Sequence, residues 1–268
     1  MEKNKILLKD VFDYLKGIDN ESVDLAIIDP PYNQSIDIWD TFKTEDEYFE
    51  FTFKWLDFVV QKLKNTGSLY IFNNAYNSAF ILQDLVQKGL KYKNWIVWYK
   101  KDGFAPSKTR FVNNQEVILF FTKTDKYTFN AEKVRAPYLS TDRISAAAKT
   151  GILKNGKRWF PNSNGKLCSD VWEFASERHT KKINGKTIKT FHPTPKPETM
   201  IERMILASSN EQDIVMDLFS GSGTTAYVAQ KLNRQFTGCE NNTEYFNYII
   251  ERLTKGENEN GLVKIAYN

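Results

Sequence analysis

Four consecutive residues, Asp29-Pro30-Pro31-Tyr32, close a short apolar run and carry the clearest chemical signal in the chain. Neither proline has a backbone N–H and each fixes its own φ, while Pro30 and Pro31 bias the residues before them toward extended conformations. The turn is therefore stiff. Its carbonyls can face outward as acceptors unopposed by local donors, the Asp29 carboxylate adds another acceptor, and Tyr32 offers a flat ring. Such a rim suits a planar group bearing an –NH₂, whose two hydrogens go to the acceptors while its ring stacks on the tyrosine. The competing reading is a proline-rich turn with a capping aspartate.

A second signal lies far away in the chain. Residues 217–225, DLFSGSGTT, follow an expected strand and open an expected helix. Phe219, Gly221, Ser222, Gly223 and Thr224 form the turn. Its glycines permit positive φ and let backbone N–H groups and a helix N-terminus approach an anionic or carboxylate-bearing ligand. At the end of the next expected strand stands Glu240, placed to accept hydrogen bonds from ribose hydroxyls. A nucleotide-like cofactor fits this pattern. A dinucleotide fingerprint needs a third glycine where Thr225 and Ala226 stand, which weakens a dehydrogenase reading. Gly185-Lys186-Thr187 lacks the leading glycine of a phosphate-binding loop. A tight turn without a ligand is the structural alternative.

The elements needed to position these groups are legible as alternation. Strands are expected at residues 5–8, 23–28, 68–73, 94–100, 116–122, 213–219 and 235–240. Helices are expected at 10–18, 45–64, 77–88, 198–208, 224–232 and 244–253, and residues 261–267 form a candidate closing strand. In the second helix Phe51, Trp55, Phe58, Val59 and Leu63 recur at helical spacing as one buried face. Strand–helix alternation predicts an α/β fold with a mainly parallel sheet and helices on both faces. Between about residues 127 and 190 the periodicity fades into glycines, prolines and charges, as in an inserted functional segment.

That segment also concentrates the charge. Residues 131–190 hold 13 Lys and Arg against 5 Asp and Glu, in a chain of net charge +4, so the remainder is net acidic. Base interleaved with Trp159, Phe160, Trp172 and Phe174 suits a polyanion; a solvated loop-rich face is the plainer reading. No run reaches the ~18 apolar residues of a membrane span, and the mixed-charge N-terminus does not read as a secretory signal. A cytoplasmic protein without membrane association is expected. Cys168 and Cys239, with only His179 and His192 to assist, supply neither a disulfide framework nor a structural zinc site, so no metal is expected.

Asp29-Pro30-Pro31-Tyr32 together with Phe219-Ser220-Gly221-Ser222-Gly223 resembles the amino-methyltransferases of DNA, which use S-adenosylmethionine to methylate the exocyclic nitrogen of adenine or cytosine. The order of parts, catalytic motif first, recognition region in the middle and cofactor loop last, is similar to the β group of that family and spans nearly the whole chain. Residues 192–197, HPTPKP, look like its motif before the cofactor loop, with Pro195 where Gln is usual. Within the basic segment, GILKNGKRWFPN (residues 151–162) is similar to an adenine-specific member of a restriction-modification system acting at GAAGA.

The resemblance implies a Rossmann-like S-adenosylmethionine-dependent methyltransferase domain: a catalytic half (residues 1–126), an inserted target-recognition region (127–190) and a cofactor-binding half (191–268). It implies double-stranded DNA as substrate, with a flipped-out adenine received by Tyr32. Glu240 would bind the cofactor's ribose, Asp10 and the Val11 backbone its adenine, and Ser222, Thr224, His192 and Thr194 its methionine carboxylate end, with Asp29 near its amino group. A homodimer and a cognate endonuclease are the further partners it suggests. A DNA cytosine-N4 methyltransferase, favoured less because the resembling cytosine enzymes more often carry Ser at the Asp29 position, stays open. So does a non-catalytic DNA-binding module retaining the fold.

Overall fold

The computed structural model describes residues 2–100, 108–176, 180–183, 186–189 and 194–260. The expected closing strand at 261–267 lies outside them, as does His192. The elements run β1 (Lys5–Leu8), α1 (Val11–Lys16), β2 (Val23–Ile28), α2 (Glu45–Lys62), β3 (Leu63–Asn73), α3 (Ala75–Gln87), β4 (Lys91–Tyr99) and β5 (Gln115–Thr122). There follow α4 (Thr141–Thr150), β6 (Ile152–Lys154), β7 (Lys157–Trp159), β8 (Val171–Glu173), β9 (Thr180–Ile183) and β10 (Lys186–Lys189). The chain closes with α5 (Glu198–Ser208), β11 (Ile214–Asp217), α6 (Thr224–Lys231), β12 (Gln235–Glu240) and α7 (Thr243–Asn260).

Eight strands form one sheet in the order β1-β12-β11-β2-β3-β5-β4-β8. All neighbours are parallel except β3 with β5 and β5 with β4. Strand alternation sorts side chains into two cores. Ala26 and Ile28 of β2 face the helices α1, α2 and α3 through Leu15, Trp55, Leu56 and Ile81. Leu25 and Ile27 face α5, α6 and α7 through Met204, Ile205, Ala229 and Ile249. This period of two is why a strand covered on both sides reads as an unbroken apolar run. Each large buried side chain contributes roughly 1.5–3 kcal/mol.

Helix starts are set by local chemistry. Asp10 caps α1 by accepting from Phe12 N at 2.8 Å, Thr44 caps α2 through Glu47 N at 3.1 Å, and Asn74 caps α3 through Asn77 N at 2.8 Å. The strand β3 starts at Leu63, earlier than the expected residue 68, because Leu63 pairs with Val23 before a register shift.

The segment expected to be irregular carries more structure than its composition suggests. It holds α4, of which only Ala147 is buried, so no apolar stripe announces it. It also holds the hairpin β6–β7, turned by Asn155 (φ 50°) and Gly156 (φ 75°). β8 returns to the main sheet, pairing parallel with β4, and Trp172 joins the second core. Asn130 Nδ2 ties the segment's start to the end of α5 by donating to Leu206 O at 3.1 Å and Ser209 O at 3.0 Å. No helix among the described residues is long and apolar enough to cross a membrane.

Candidate active site and cofactor cavity

β2 and β11 lie side by side, with Val215 opposite Leu25 and Met216 opposite Ala26. The parallel pairing brings the turn after β2 and the glycine turn after β11 to the same edge of the sheet, where open α/β folds bind ligands. A cavity of about 590 Å³ opens there. Asp10, Val11, Asp29, Pro30, Pro31, Tyr32, Thr194, Phe219, Gly221, Ser222, Thr224 and Glu240 all line it. Of the candidate residues in the described part of the chain, Gly223 alone is not on its wall.

The proline turn is held from behind by a residue its sequence does not advertise. Asp40, almost fully buried, accepts four backbone N–H groups: Tyr32 at 2.5 Å, Asn33 at 2.8 Å, Gln34 at 2.9 Å and Ile36 at 3.3 Å. This carboxylate supports left-handed backbone at Asn33 (φ 57°) and Ser35 (φ 55°). Asn77 Nδ2 donates to Tyr32 O at 2.8 Å, pinning the turn to α3.

In front of the turn lies a charged network. Asp29 Oδ2 accepts from Lys196 Nζ at 2.6 Å, and Asp29 Oδ1 accepts from the Tyr32 hydroxyl at 2.8 Å. The same hydroxyl lies 3.2 Å from Glu116 Oε2, which is 3.7 Å from Lys196 Nζ. Lys100 pairs with the other oxygen of Glu116. Burial raises Asp29 above the ordinary carboxylate range, opposed chiefly by Lys196. For Glu116, burial pushes upward but Lys196 and Lys100 prevail, so its carboxyl is held low. Tyr32 is pushed well above the ordinary phenol value by burial and by both carboxylates, so it remains a donor.

The glycine turn is shaped by contact as much as by freedom. Gly223 has φ 70° and a Cβ there would meet Ile249 Cγ2 at 2.9 Å. Gly221 N–H donates to Glu240 Oε2 at 2.7 Å, while Glu240 Oε1 accepts from Asn241 N at 3.0 Å and Asn242 N at 2.9 Å. Burial raises Glu240 against these three donors. Ser222 Oγ and Thr224 Oγ1 are 2.9 Å apart, and Arg252 Nη1 donates to Ser222 O at 2.8 Å and Thr224 Oγ1 at 3.1 Å. Phe219 packs edge-on to Trp55 at 5.6 Å between ring centroids.

Asp217, buried at the end of β11, is pushed up to about 7 by burial, with Thr225 and the Phe219 N–H opposing. The cavity wall thus carries Asp10, Asp29, Asp40, Glu47, Glu116, Asp217 and Glu240 against Lys9 and Lys196. That balance favours a ligand with positive charge. The wall's carboxylates can accept from hydroxyl and ammonium groups, so a polar cationic ligand is complementary to it. Among the described residues no three His, Cys, Asp or Glu side chains converge as metal ligands.

Sequence reasoning did not single out Asp40, Lys100 or Glu116, and quoted Lys196 and Asp217 within motifs without giving either a role. Glu116 had one signal, an acid beside an otherwise apolar strand. Asp40 had none, because a short irregular loop separates it from the turn it supports.

Residues 23–251 match the family model described as DNA methylase, N6_N4_Mtase. The chain is 56% identical to the type II methyltransferase M1.MboII of Moraxella bovis, over 94% of this chain and 98% of that one. It is 36% identical to the DNA adenine methyltransferase YhdJ of Escherichia coli K12, over 94% and 83%. The solved structure of an M1.HpyAVI–SAM complex covers 93% of this chain at TM-score 0.60 and 26% identity, with 99% of that chain covered. The PvuII cytosine-N4-specific DNA methyltransferase shares the fold at TM-score 0.70 and 18% identity, over 97% and 93%. With both motifs on one cavity and a matching family model over most of its length, the chain belongs to the amino-methyltransferases of DNA.

Proposed function

We propose that this chain methylates the N6 amino group of adenine in double-stranded DNA, with S-adenosylmethionine as donor, at the site GAAGA within a restriction-modification system. The observation that carries the reading is the pairing of β2 with β11, which sets the Asp29 rim and the glycine turn on one cavity. S-adenosylmethionine, when bound there, would supply an electrophilic methyl group; as the amino nitrogen took that methyl, the C–S bond would break and the sulfur would leave as the neutral thioether of S-adenosylhomocysteine. Support for adenine comes from the aspartate at position 29 and from the likeness to YhdJ. Support for the site comes from residues 151–162.

The adenine nitrogen is a poor nucleophile because its lone pair is delocalised into the ring. The Asp29 carboxylate and the Pro30 carbonyl accept its hydrogens, localise the pair toward the methyl group and stabilise the positive charge that develops on nitrogen. One proton then leaves that nitrogen, to solvent or to Asp29, as the methylated amine becomes neutral. The Tyr32 ring receives the face of the base, whose extrusion from the duplex costs a few kcal/mol. Glu240 holds the cofactor's ribose, Asp10 and Val11 its adenine, and Ser222, Thr224, Thr194 and His192 its carboxylate end. Residues 127–190 form the recognition region, whose bases hold phosphates; residues 1–126 and 191–268 are the two halves of the catalytic domain. The protein acts in the cytoplasm, as a homodimer, beside a cognate restriction endonuclease acting on the same site.

Purified protein transfers labelled methyl from S-adenosylmethionine to duplex DNA, and Asp29→Ala lowers the rate by at least about a hundredfold while leaving the fold intact. Sequencing of the product reads N6-methyladenine at GAAGA. Undiminished transfer by the variant removes Asp29 from the mechanism, and methylcytosine in the product reassigns the base.

A further inference from the structure

Both oxygens of Asp29 are engaged in the free chain, Oδ2 by the Lys196 ammonium and Oδ1 by the Tyr32 hydroxyl. An incoming amino group must replace one of them. The two partners differ in what holds them. Lys196 is 10% exposed, sits 2.6 Å from Asp29 and 3.7 Å from Glu116, and lies over the rings of Phe72 at 5.3 Å and Tyr32 at 5.6 Å. Charge-assisted bonds of this kind, out of water, are the strong ones. The Tyr32 hydroxyl is neutral and already within reach of a second acceptor, Glu116 Oε2, at 3.2 Å. The tyrosine can yield Oδ1 and keep a hydrogen bond; the lysine cannot leave Oδ2 without giving up its closest charge-assisted contact, at 2.6 Å against 3.7 Å to Glu116.

We infer that Lys196 is a positioning residue for methyl transfer: clamped between Asp29 and Glu116, it pins Asp29 Oδ2, so that Oδ1 is the oxygen offered to the base. Glu116, with Lys100 behind it, fixes Lys196 from the other side. The inference rests on the reading of Asp29 as the amino-group acceptor. It also gives Lys196 a reason to be buried that packing alone does not supply, since an unpaired ammonium there would be costly.

The charged and titratable groups around Asp29 come from several elements: Tyr32 in its own turn, Lys196 before α5, Glu116 on β5 with Lys100 beyond it, and Asp217 on β11. Removing the cation must raise Asp29, and removing the neighbouring anion must lower it. The two substitutions therefore move the acidic limb of the rate profile in opposite directions, which loss of structure does not do.

The test is single-turnover transfer of labelled methyl to unmethylated genomic DNA as a function of pH. In Lys196→Met the acidic limb moves up by at least about one unit, which is roughly a fivefold loss at the wild-type half-maximal pH. In Glu116→Gln it moves down, and in Lys196→Arg it stays in place. Limbs that superimpose on wild type in both Lys196→Met and Glu116→Gln, or that move the same way, overturn the inference. If Lys196→Met does not fold, an unmoved limb in Glu116→Gln overturns it alone, and a limb moved down there with Lys196→Arg unmoved supports it. Asp29→Asn separates this inference from the reading beneath it. Its inactivity with unmoved limbs in the other variants sinks the role of Lys196 only, whereas its full activity sinks the role of Asp29.

Discussion

Gly221 N–H donates to Glu240 Oε2 at 2.7 Å, so the acid at the end of β12 holds the glycine turn that follows β11. The same carboxylate receives the N–H groups of Asn241 and Asn242 at the entrance to α7. One side chain thereby sets the spacing between the two loops that border the cavity. Three of its lone-pair positions are spent on the chain itself, which leaves it able to accept from a ligand hydroxyl without moving.

Replacing Glu240 by Ala leaves three donors without their partner. The expected cost is about 1–3 kcal/mol of stability, read by denaturant unfolding, with at least about tenfold weaker S-adenosylmethionine binding. Glu240→Gln, which can still accept, keeps most of the stability. Unchanged affinity in both variants would show that the ribose is held elsewhere.

Asp40→Ala tests whether the proline turn is self-supporting. Four backbone N–H groups lose a buried carboxylate, and the left-handed residues Asn33 and Ser35 lose what holds them. A loss of about 2–3 kcal/mol is expected, along with a fall in methyl transfer of at least about tenfold. Asp40→Asn recovers part of both. Wild-type transfer by Asp40→Ala would mean that the two prolines alone shape the rim.

Gly238 on β12 is a steric requirement of the sheet. A Cβ there would stand 2.3 Å from Asp217 O and 2.9 Å from Ile6 Cδ1. Isoleucine can move, but the backbone carbonyl of β11 cannot without disturbing the cavity wall. Gly238→Ala is expected to cost about 3 kcal/mol and to lower the melting temperature by several degrees. Adding Ile6→Val should restore little of it; full restoration would place the clash on Ile6 instead.

Asp217 gives a pH signature. Its carboxyl is raised by burial to about 7, far above its value in the unfolded chain. The folded state therefore prefers the protonated form, and the stability tied to that preference is complete below about pH 4 and fades as pH rises through about 7. Asp217→Asn should melt at a higher temperature than wild type at pH 8 and show no gain at pH 4. A cationic donor in the cavity lowers the same group, so S-adenosylmethionine binding near pH 6.5 should release protons, measured by calorimetry in buffers of different ionisation enthalpy. Equal heats in those buffers would remove Asp217 from contact with the ligand's charge.

Much of this architecture was written in local pattern. The apolar runs, the stripe through Trp55 and Val59 and the glycine turn depend on neighbours within a few residues. Their spacing alone therefore specified strands, helices and turns. The chemistry of Asp29-Pro30-Pro31-Tyr32 was readable for the same reason, since each proline acts on its own backbone and the one before it. By contrast α4 escaped notice because Ala147 alone is buried on it, too little to make an apolar stripe.

Only the tertiary structure decided which groups stand together. β1 and β2 are consecutive strands in the chain, yet β12 and β11 lie between them in the sheet. That order sets the turns of residues 29–32 and 217–225 on one cavity, and it determines that Lys196 and Glu116 meet Asp29. A buried charge is set by its neighbours in space and by the water it has lost, and neither is encoded in the residues beside it in sequence.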